Sequence, residues 1–203
     1  MSDKRPRVCI VPRWAGNQDM EWYNWLCATA TVKDSFGTVL RPDVSDWQEP
    51  AIESWIATLT ETCGHDPADL SSTYFIAHSV GCQGVIRYLA TLPEGTAVAG
   101  CLLVAGWWTL DAPWDSILPW EYPLDSAGKP PAHPIDLGRV RAVCPRIVTL
   151  ISDNDQFTSD WQQTKRDFER RVNAQVKVIP GAGHFNATES PVVRDALSEL
   201  IAA

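Results

Sequence analysis

The chain has 203 residues, 45% of them hydrophobic and 21% charged, with a formal net charge of −8. Such figures fit a soluble globular protein of one or two domains. The negative balance weighs against a sequence-independent nucleic-acid binder and against docking on anionic membranes by charge. One count stands out, 10 Trp against 5 Phe and 4 Tyr, and that excess has to be placed along the chain.

Arg7 to Pro12 is a short apolar run that predicts a buried strand. A loop from Arg13 to Asp19 follows, and Trp22, Trp25, Leu26 and Thr29 then fall at helical spacing. Thr38 to Leu40 predicts a short second strand. Pro50 suits the first position of the next helix, where a missing N–H costs nothing, and Ile52, Trp55, Ile56 and Leu59 form its apolar face. Ser72 to Ala77 predicts a third strand running straight into a helix over Val80 to Leu92, and Val98 to Val104 a fourth strand. Residues 107–139 form a long irregular Trp- and Pro-rich excursion with six Pro and four Trp, read as a candidate cap. A fifth strand is predicted over Ile147 to Ile151 and a sixth over Val176 to Ile179. Ser159 to Gln162 has the form of a capping box opening the helix between them. Ser190-Pro191 opens the last helix.

Strands alternate with helices, and most strands are continuous apolar runs. That pattern predicts one α/β domain over 1–203, a mostly parallel sheet of about six strands covered by helices on both faces. The start of the chain lacks the long apolar region of a secretory signal. No run approaches the roughly 20 apolar residues of a membrane span, so a cytoplasmic protein is expected. The six cysteines are scattered and contain no C-x-x-C pair, so they read as buried free thiols and not as a metal or redox site.

The segment that carries chemistry is Ala77-His78-Ser79-Val80-Gly81. It matches the nucleophile elbow G-x-S-x-G, with Ala for the first Gly. A sharp strand-to-helix turn lifts the serine hydroxyl clear of the sheet and crowds the backbone, so only small residues fit on either side. The helix start also aims free N–H groups at a developing oxyanion, and the Val80 N–H is the expected first donor. Taken alone, Ser79 could be no more than a helix-capping serine.

A serine nucleophile needs a base, and the base needs an orienting carboxylate. On this architecture they follow in the order Ser, acid, His, each in a loop after a later strand. Ser152-Asp153-Asn154-Asp155-Gln156-Phe157 follows the fifth strand and Gly181-Ala182-Gly183-His184-Phe185-Asn186 the sixth. His184 is therefore the candidate base, and Asp153 and Asp155 are both candidate acids.

With these motifs the sequence resembles the small single-domain serine hydrolases of the α/β-hydrolase superfamily, the group that includes retinoblastoma-binding protein nine and the YdeN-like proteins. The residues that carry the resemblance are Ile10 to Gly16, Trp22-Tyr23, the Ser79 elbow, Asn154 to Phe157 and Gly183 to Asn186. It implies a three-layer α/β-hydrolase-like sandwich and a triad of Ser79, Asp155 and His184. Asp155 is preferred to Asp153 because the family acid precedes a Pro and then an apolar residue, positions held here by Gln156 and Phe157. It also implies that the loop after the first strand supplies a second oxyanion donor, from Arg13 or Trp14. Arg13 departs from a position where Gly is common, and its side chain could instead reach into the cleft to meet an anionic group.

Trp107, Trp108, Trp114 and Trp120 have two readings, core packing or an apolar wall of the substrate pocket at the carboxyl edge of the sheet. His78 reads as a packed or supporting residue, since neighbours at a strand end face opposite ways; His65 and His133 read as solvated. The expected activity is cofactor- and metal-independent hydrolysis of a small ester or thioester with an apolar portion. The expected partner is that small acyl substrate, with no nucleic acid or membrane and no protein partner indicated. The alternatives are a non-catalytic binding module that uses the Trp-rich segment, or acyl transfer to an acceptor other than water.

Overall fold

The computed structural model describes residues 5–16, 19–44, 49–124 and 134–203. Six strands form one sheet: β1 (Arg7–Val11), β2 (Thr38–Leu40), β3 (Thr73–His78), β4 (Gly100–Val104), β5 (Ile147–Ser152) and β6 (Gln175–Ile179). Their order is β2-β1-β3-β4-β5-β6, and every pairing is parallel. The central strands β1, β3, β4 and β5 are buried along their whole length. Their side chains divide by alternation. Cys9, Val11, Phe75, Ala77, Cys101 and Leu103 face one core, while Val8, Ile10, Tyr74, Ile76, Leu102 and Val104 face the other. That is why their sequences are continuous apolar runs.

The helices are α1 (Tyr23–Ala28), α2 (Ala30–Ser35), α3 (Ile52–Cys63), α4 (Pro67–Ser71), α5 (Val80–Thr91), α6 (Leu137–Val143), α7 (Trp161–Val172) and α8 (Pro191–Ala202). α3 and α5 contribute to the first core and α8 to the second, so the domain is a helix–sheet–helix sandwich. Trp55 of α3 and Trp22 just before α1 are fully buried, one in each core.

Local chemistry shifts several expected boundaries. The single helix expected across Trp22 to Thr29 is broken at Thr29, whose extended backbone (φ −69°, ψ 154°) ends α1 and starts α2. The Thr29 hydroxyl donates to Leu26 O at 2.6 Å and accepts the Val32 N–H at 3.4 Å, so this β-branched residue caps both helices. Pro50 lies outside α3, whose N-cap is Ala51; the Pro50 carbonyl accepts the Trp120 indole N–H at 2.8 Å. α7 starts one residue later than the expected capping box: Asp160 is its cap and accepts the Gln163 N–H at 2.9 Å. The Ser159 N–H instead goes to Asp111 Oδ2 at 2.8 Å.

α4 and α6 were not expected. With 5 and 7 residues they are too short to show a periodicity, and each rests on an aspartate cap, Asp66 or Asp136. The 107–139 excursion is therefore shorter than its sequence suggests, because α6 starts at Leu137. Part of that excursion, with His133, lies outside the described residues, as does Trp47.

Cys9, Cys63, Cys82, Cys101 and Cys144 are buried and Cys27 is half-buried, and all six are free thiols. Among the described residues no helix is long and apolar enough to cross a membrane.

Candidate active site

The β3–α5 junction is a strained elbow. Ser79 stands between them with φ 54° and ψ −120°, a conformation L-residues rarely adopt. Its N–H is anchored to Val104 O of β4 at 2.9 Å, and its carbonyl accepts the Cys82 N–H at 2.9 Å. Gly81 explains the small residue after the serine. A Cβ there would sit 2.5 Å from Pro12 O and 2.9 Å from Val11 O, so any side chain would drive α5 and the end of β1 apart. Ala77, in place of the usual first Gly, is fully buried and tolerated.

The loops after β5 and β6 are stitched together residue by residue. Asp153 Oδ1 accepts the Gly181 N–H at 2.8 Å, Ser152 Oγ the Ala182 N–H at 3.0 Å and Asn154 Oδ1 the Gly183 N–H at 2.8 Å. Asp155 completes the series with a side chain instead of a backbone partner: its Oδ2 lies 2.7 Å from His184 Nδ1. Its other oxygen accepts the Phe157 N–H at 3.0 Å. Both side chains are nearly inaccessible. The pairing assigns the His184 proton to Nδ1 and leaves Nε2 as the acceptor. Of the two candidate acids, only Asp155 is placed to orient His184; Asp153 is occupied by the backbone.

Ser79 and His184 line one cavity of about 240 Å³, together with Arg13, Trp14, Val80, Trp107, Trp114, Ile117 and Phe157 among others. The Trp107 indole N–H reaches the Ser79 hydroxyl at 3.4 Å. Trp114, although 47% exposed, packs on Trp14 (ring centroids 4.8 Å apart) and on Phe157 (5.6 Å). Phe157 in turn meets the His184 ring edge-on at 4.7 Å. The wall is thus drawn from three loops.

Of the four tryptophans read as either core packing or pocket wall, Trp108 and Trp120 do not line the cavity. Trp108 is buried against Phe168 and Tyr122, beneath the Arg171 guanidinium at 4.8 Å. Trp120 packs on Trp55 at 5.4 Å. Both belong to the core: Trp108 packs on Phe168 of α7 while its equally buried neighbour Trp107 reaches Ser79, and Trp120 ends a short 3-10 turn (Leu118–Trp120) and packs on Trp55 of α3. Trp14, Phe157, Leu110 and Ile117 complete the wall and were not assigned to it from sequence.

The loop after β1 gives a definite answer for Arg13. Its N–H donates to the Tyr23 hydroxyl at 3.1 Å, so it is not free for an oxyanion. Its guanidinium is satisfied within the protein: Nε and Nη2 bind Glu21 Oε1 at 2.8 and 2.6 Å, and Nη1 binds Trp14 O at 2.7 Å. The side chain borders the cavity, but its charge is neutralised by a partner that is itself buried. Among the described residues the Trp14 and Val80 N–H groups have no backbone acceptor. Val80 is in the first turn of α5, where no intrahelical acceptor exists. No group of three His, Cys, Asp or Glu among the described residues is arranged to hold a metal.

Known proteins share this architecture. The crystal structure of the ydeN gene product from Bacillus subtilis superposes with a TM-score of 0.77 at 20% identity, covering 98% of this chain and 100% of that one. Est1E from Butyrivibrio proteoclasticus, determined with ferulic acid bound, superposes with a TM-score of 0.67 at 14% identity, covering 98% and 89%. In sequence the chain is 22% identical to YdeN of Bacillus subtilis (strain 168) over 198 residues, 95% of this chain and 94% of the relative. The family described as serine hydrolase matches residues 8–191, which include every element that carries Ser79, Asp155 and His184, and the chain belongs to that family.

Proposed function

We propose that the protein hydrolyses a small ester or thioester through an acyl-enzyme on Ser79. The observation that carries this reading is the 2.7 Å contact between Asp155 and His184 beside a cavity that also holds the strained Ser79. His184 Nε2 takes the Ser79 proton as Oγ attacks the acyl carbonyl. The Val80 and Trp14 N–H groups hold the oxyanion. Collapse of the tetrahedral intermediate expels the alcohol or thiol, which receives the proton from His184. Water, activated by the same imidazole, then attacks the acyl-enzyme and releases the acid.

The cavity favours a short acyl group. Its volume of about 240 Å³ falls below the roughly 300–1,000 Å³ of pockets for drug-sized ligands. Its lining is aromatic and aliphatic apart from the reacting groups, Asn186 and Arg13, and the Arg13 charge is already paired with Glu21. An uncharged, apolar acyl portion fits this lining better than an anionic one.

The test is turnover of p-nitrophenyl acetate, butyrate and octanoate by wild type and Ser79→Ala. Wild type is expected to prefer the shorter esters and to label with a fluorophosphonate probe, and Ser79→Ala to do neither. Equal turnover by both proteins would overturn the reading.

A further inference from the structure

His78, the residue before the nucleophile, is fully buried, and both of its ring nitrogens are engaged. Nε2 lies 2.8 Å from the His184 carbonyl oxygen, and Nδ1 lies 2.7 Å from the Tyr23 hydroxyl. The partners assign the tautomer. A carbonyl only accepts, so Nε2 carries the proton. Nδ1 of the neutral ring is then an acceptor, and the Tyr23 hydroxyl must donate to it. The Tyr23 oxygen in turn accepts the Arg13 N–H at 3.1 Å.

The bonds therefore run in one direction, from the Arg13 N–H through Tyr23 and His78 to the His184 carbonyl. One end is the loop that presents the Trp14 N–H. The other is the backbone of the residue read as the base. Burial holds the His78 pKa down at about 3, with the nearby His184 acting in the same direction, so the ring stays in its neutral, one-way form at ordinary pH. Glu21, two residues before Tyr23, grips the Arg13 side chain from the same segment. Arg13 is thus held by its backbone and its side chain together.

We propose that Tyr23 and His78 are positioning residues that fix the oxyanion loop relative to His184, so that the oxyanion donor and the base keep a constant spacing. The proposal rests on the hydrolase reading given above. Its physical basis is that an error of about 1 Å in such a constellation costs on the order of 100-fold in rate. Without the Tyr23 hydroxyl, the Arg13 N–H and His78 Nδ1 both lose their partner in a buried place, and the loop has to move to satisfy them.

The experiment compares wild type, Tyr23→Phe, His78→Leu and the double variant on p-nitrophenyl butyrate, with thermal melting as a check on folding. Leu fills the buried site but can neither donate to His184 O nor accept from Tyr23. Each single variant is expected to lose about 10- to 100-fold in kcat with KM unchanged within about twofold. The double variant is expected to lie within about threefold of the worse single one, because both cut the same chain of bonds. A Tyr23→Phe kcat within about twofold of wild type, losses that multiply in the double variant, or a loss confined to KM would each overturn the proposal.

A second readout needs no activity. In ¹⁵N spectra of the histidine rings, wild-type His78 is expected to remain neutral with its proton on Nε2 from pH 8 to about pH 5. Its Nδ1 resonance is expected to shift in Tyr23→Phe. A His78 that titrates near its ordinary pKa, or that carries its proton on Nδ1, would overturn the relay even if a variant fails to fold. A wild type that turns over no ester would instead sink the hydrolase reading, and the ring spectra would still decide the relay.

Discussion

Asp155 and His184 meet at 2.7 Å at the end of a series in which four successive residues of one loop each hold a residue of another. The first three members fix the base loop by its backbone, and the fourth fixes the imidazole. The two aspartates in the series therefore have separable roles. Asp155→Asn is expected to lower kcat by about 10⁴-fold, the effect of leaving a catalytic histidine in the wrong tautomer. Asp153→Asn weakens one backbone bond and is expected to cost less than about tenfold in kcat and about 1 kcal/mol in stability. Steady-state kinetics and urea unfolding of both variants check this; comparable losses of kcat would contradict the division.

The elbow stores strain where the proposed chemistry needs an exposed hydroxyl. Ser79 adopts φ 54° without being glycine. Ser79→Gly is expected to be about 1 kcal/mol more stable than Ser79→Ala, despite the greater freedom glycine gives the unfolded chain. Both should lack turnover. Gly81→Ala works in the opposite sense: its Cβ would meet two backbone oxygens that belong to the end of β1 and cannot rotate away. It is expected to lose more than about 2 kcal/mol. Paired melting curves of the three variants test the assignment, and a stable Gly81→Ala would show that β1 and α5 are less tightly apposed than this.

The central strands are readable in the sequence because burial on both faces makes their interiors apolar, with Thr149 of β5 the single polar residue inside a run. The candidate residues are readable for a related reason: Ser79 and Asp155 each follow such a run, and His184 follows the half-buried edge strand β6. What sequence does not carry is direction. Trp107 and Trp108 are neighbours in the same segment, yet one lines the cavity and the other sits under Arg171. Tyr23 meets His78 across 55 residues of sequence, between an early helix and the third strand, and no local pattern records that contact. Arg13 looked free to enter the cleft because its partner, Glu21, lies in an irregular turn with a left-handed backbone, which gives no periodic signal.

The division among the tryptophans is measurable. Trp108 is 1% exposed, and Trp108→Ala is expected to cost about 3–5 kcal/mol. Trp114 is half-exposed and packs only at the cavity mouth, so Trp114→Ala is expected to cost less than about 1 kcal/mol. Its effect should appear in the acyl-length preference, with longer esters gaining relative to butyrate once the wall beside Trp14 and Phe157 is opened. A chain-length series for each variant, read beside its melting temperature, distinguishes the two. A Trp114→Ala protein with an unchanged preference would remove that residue from the pocket wall.

His78 also makes stability depend on pH, with a sign that follows from its burial. In the unfolded chain it takes up a proton near its ordinary pKa of 6.5; in the native state burial holds the pKa at about 3. Between those values the unfolded state binds more protons, so stability falls as the pH falls. Across pH 7 to 5, before carboxylates begin to titrate, the expected loss from this residue is about 2 kcal/mol. The charges that face the ring, Arg13 and His184, both oppose its protonation, so neither can offset the loss. Urea unfolding of wild type and His78→Gln at pH 7, 6 and 5 isolates the contribution. The wild-type curve should descend more steeply, and parallel curves would mean that His78 accepts a proton in the folded protein and that its bond to the His184 carbonyl does not require the neutral ring.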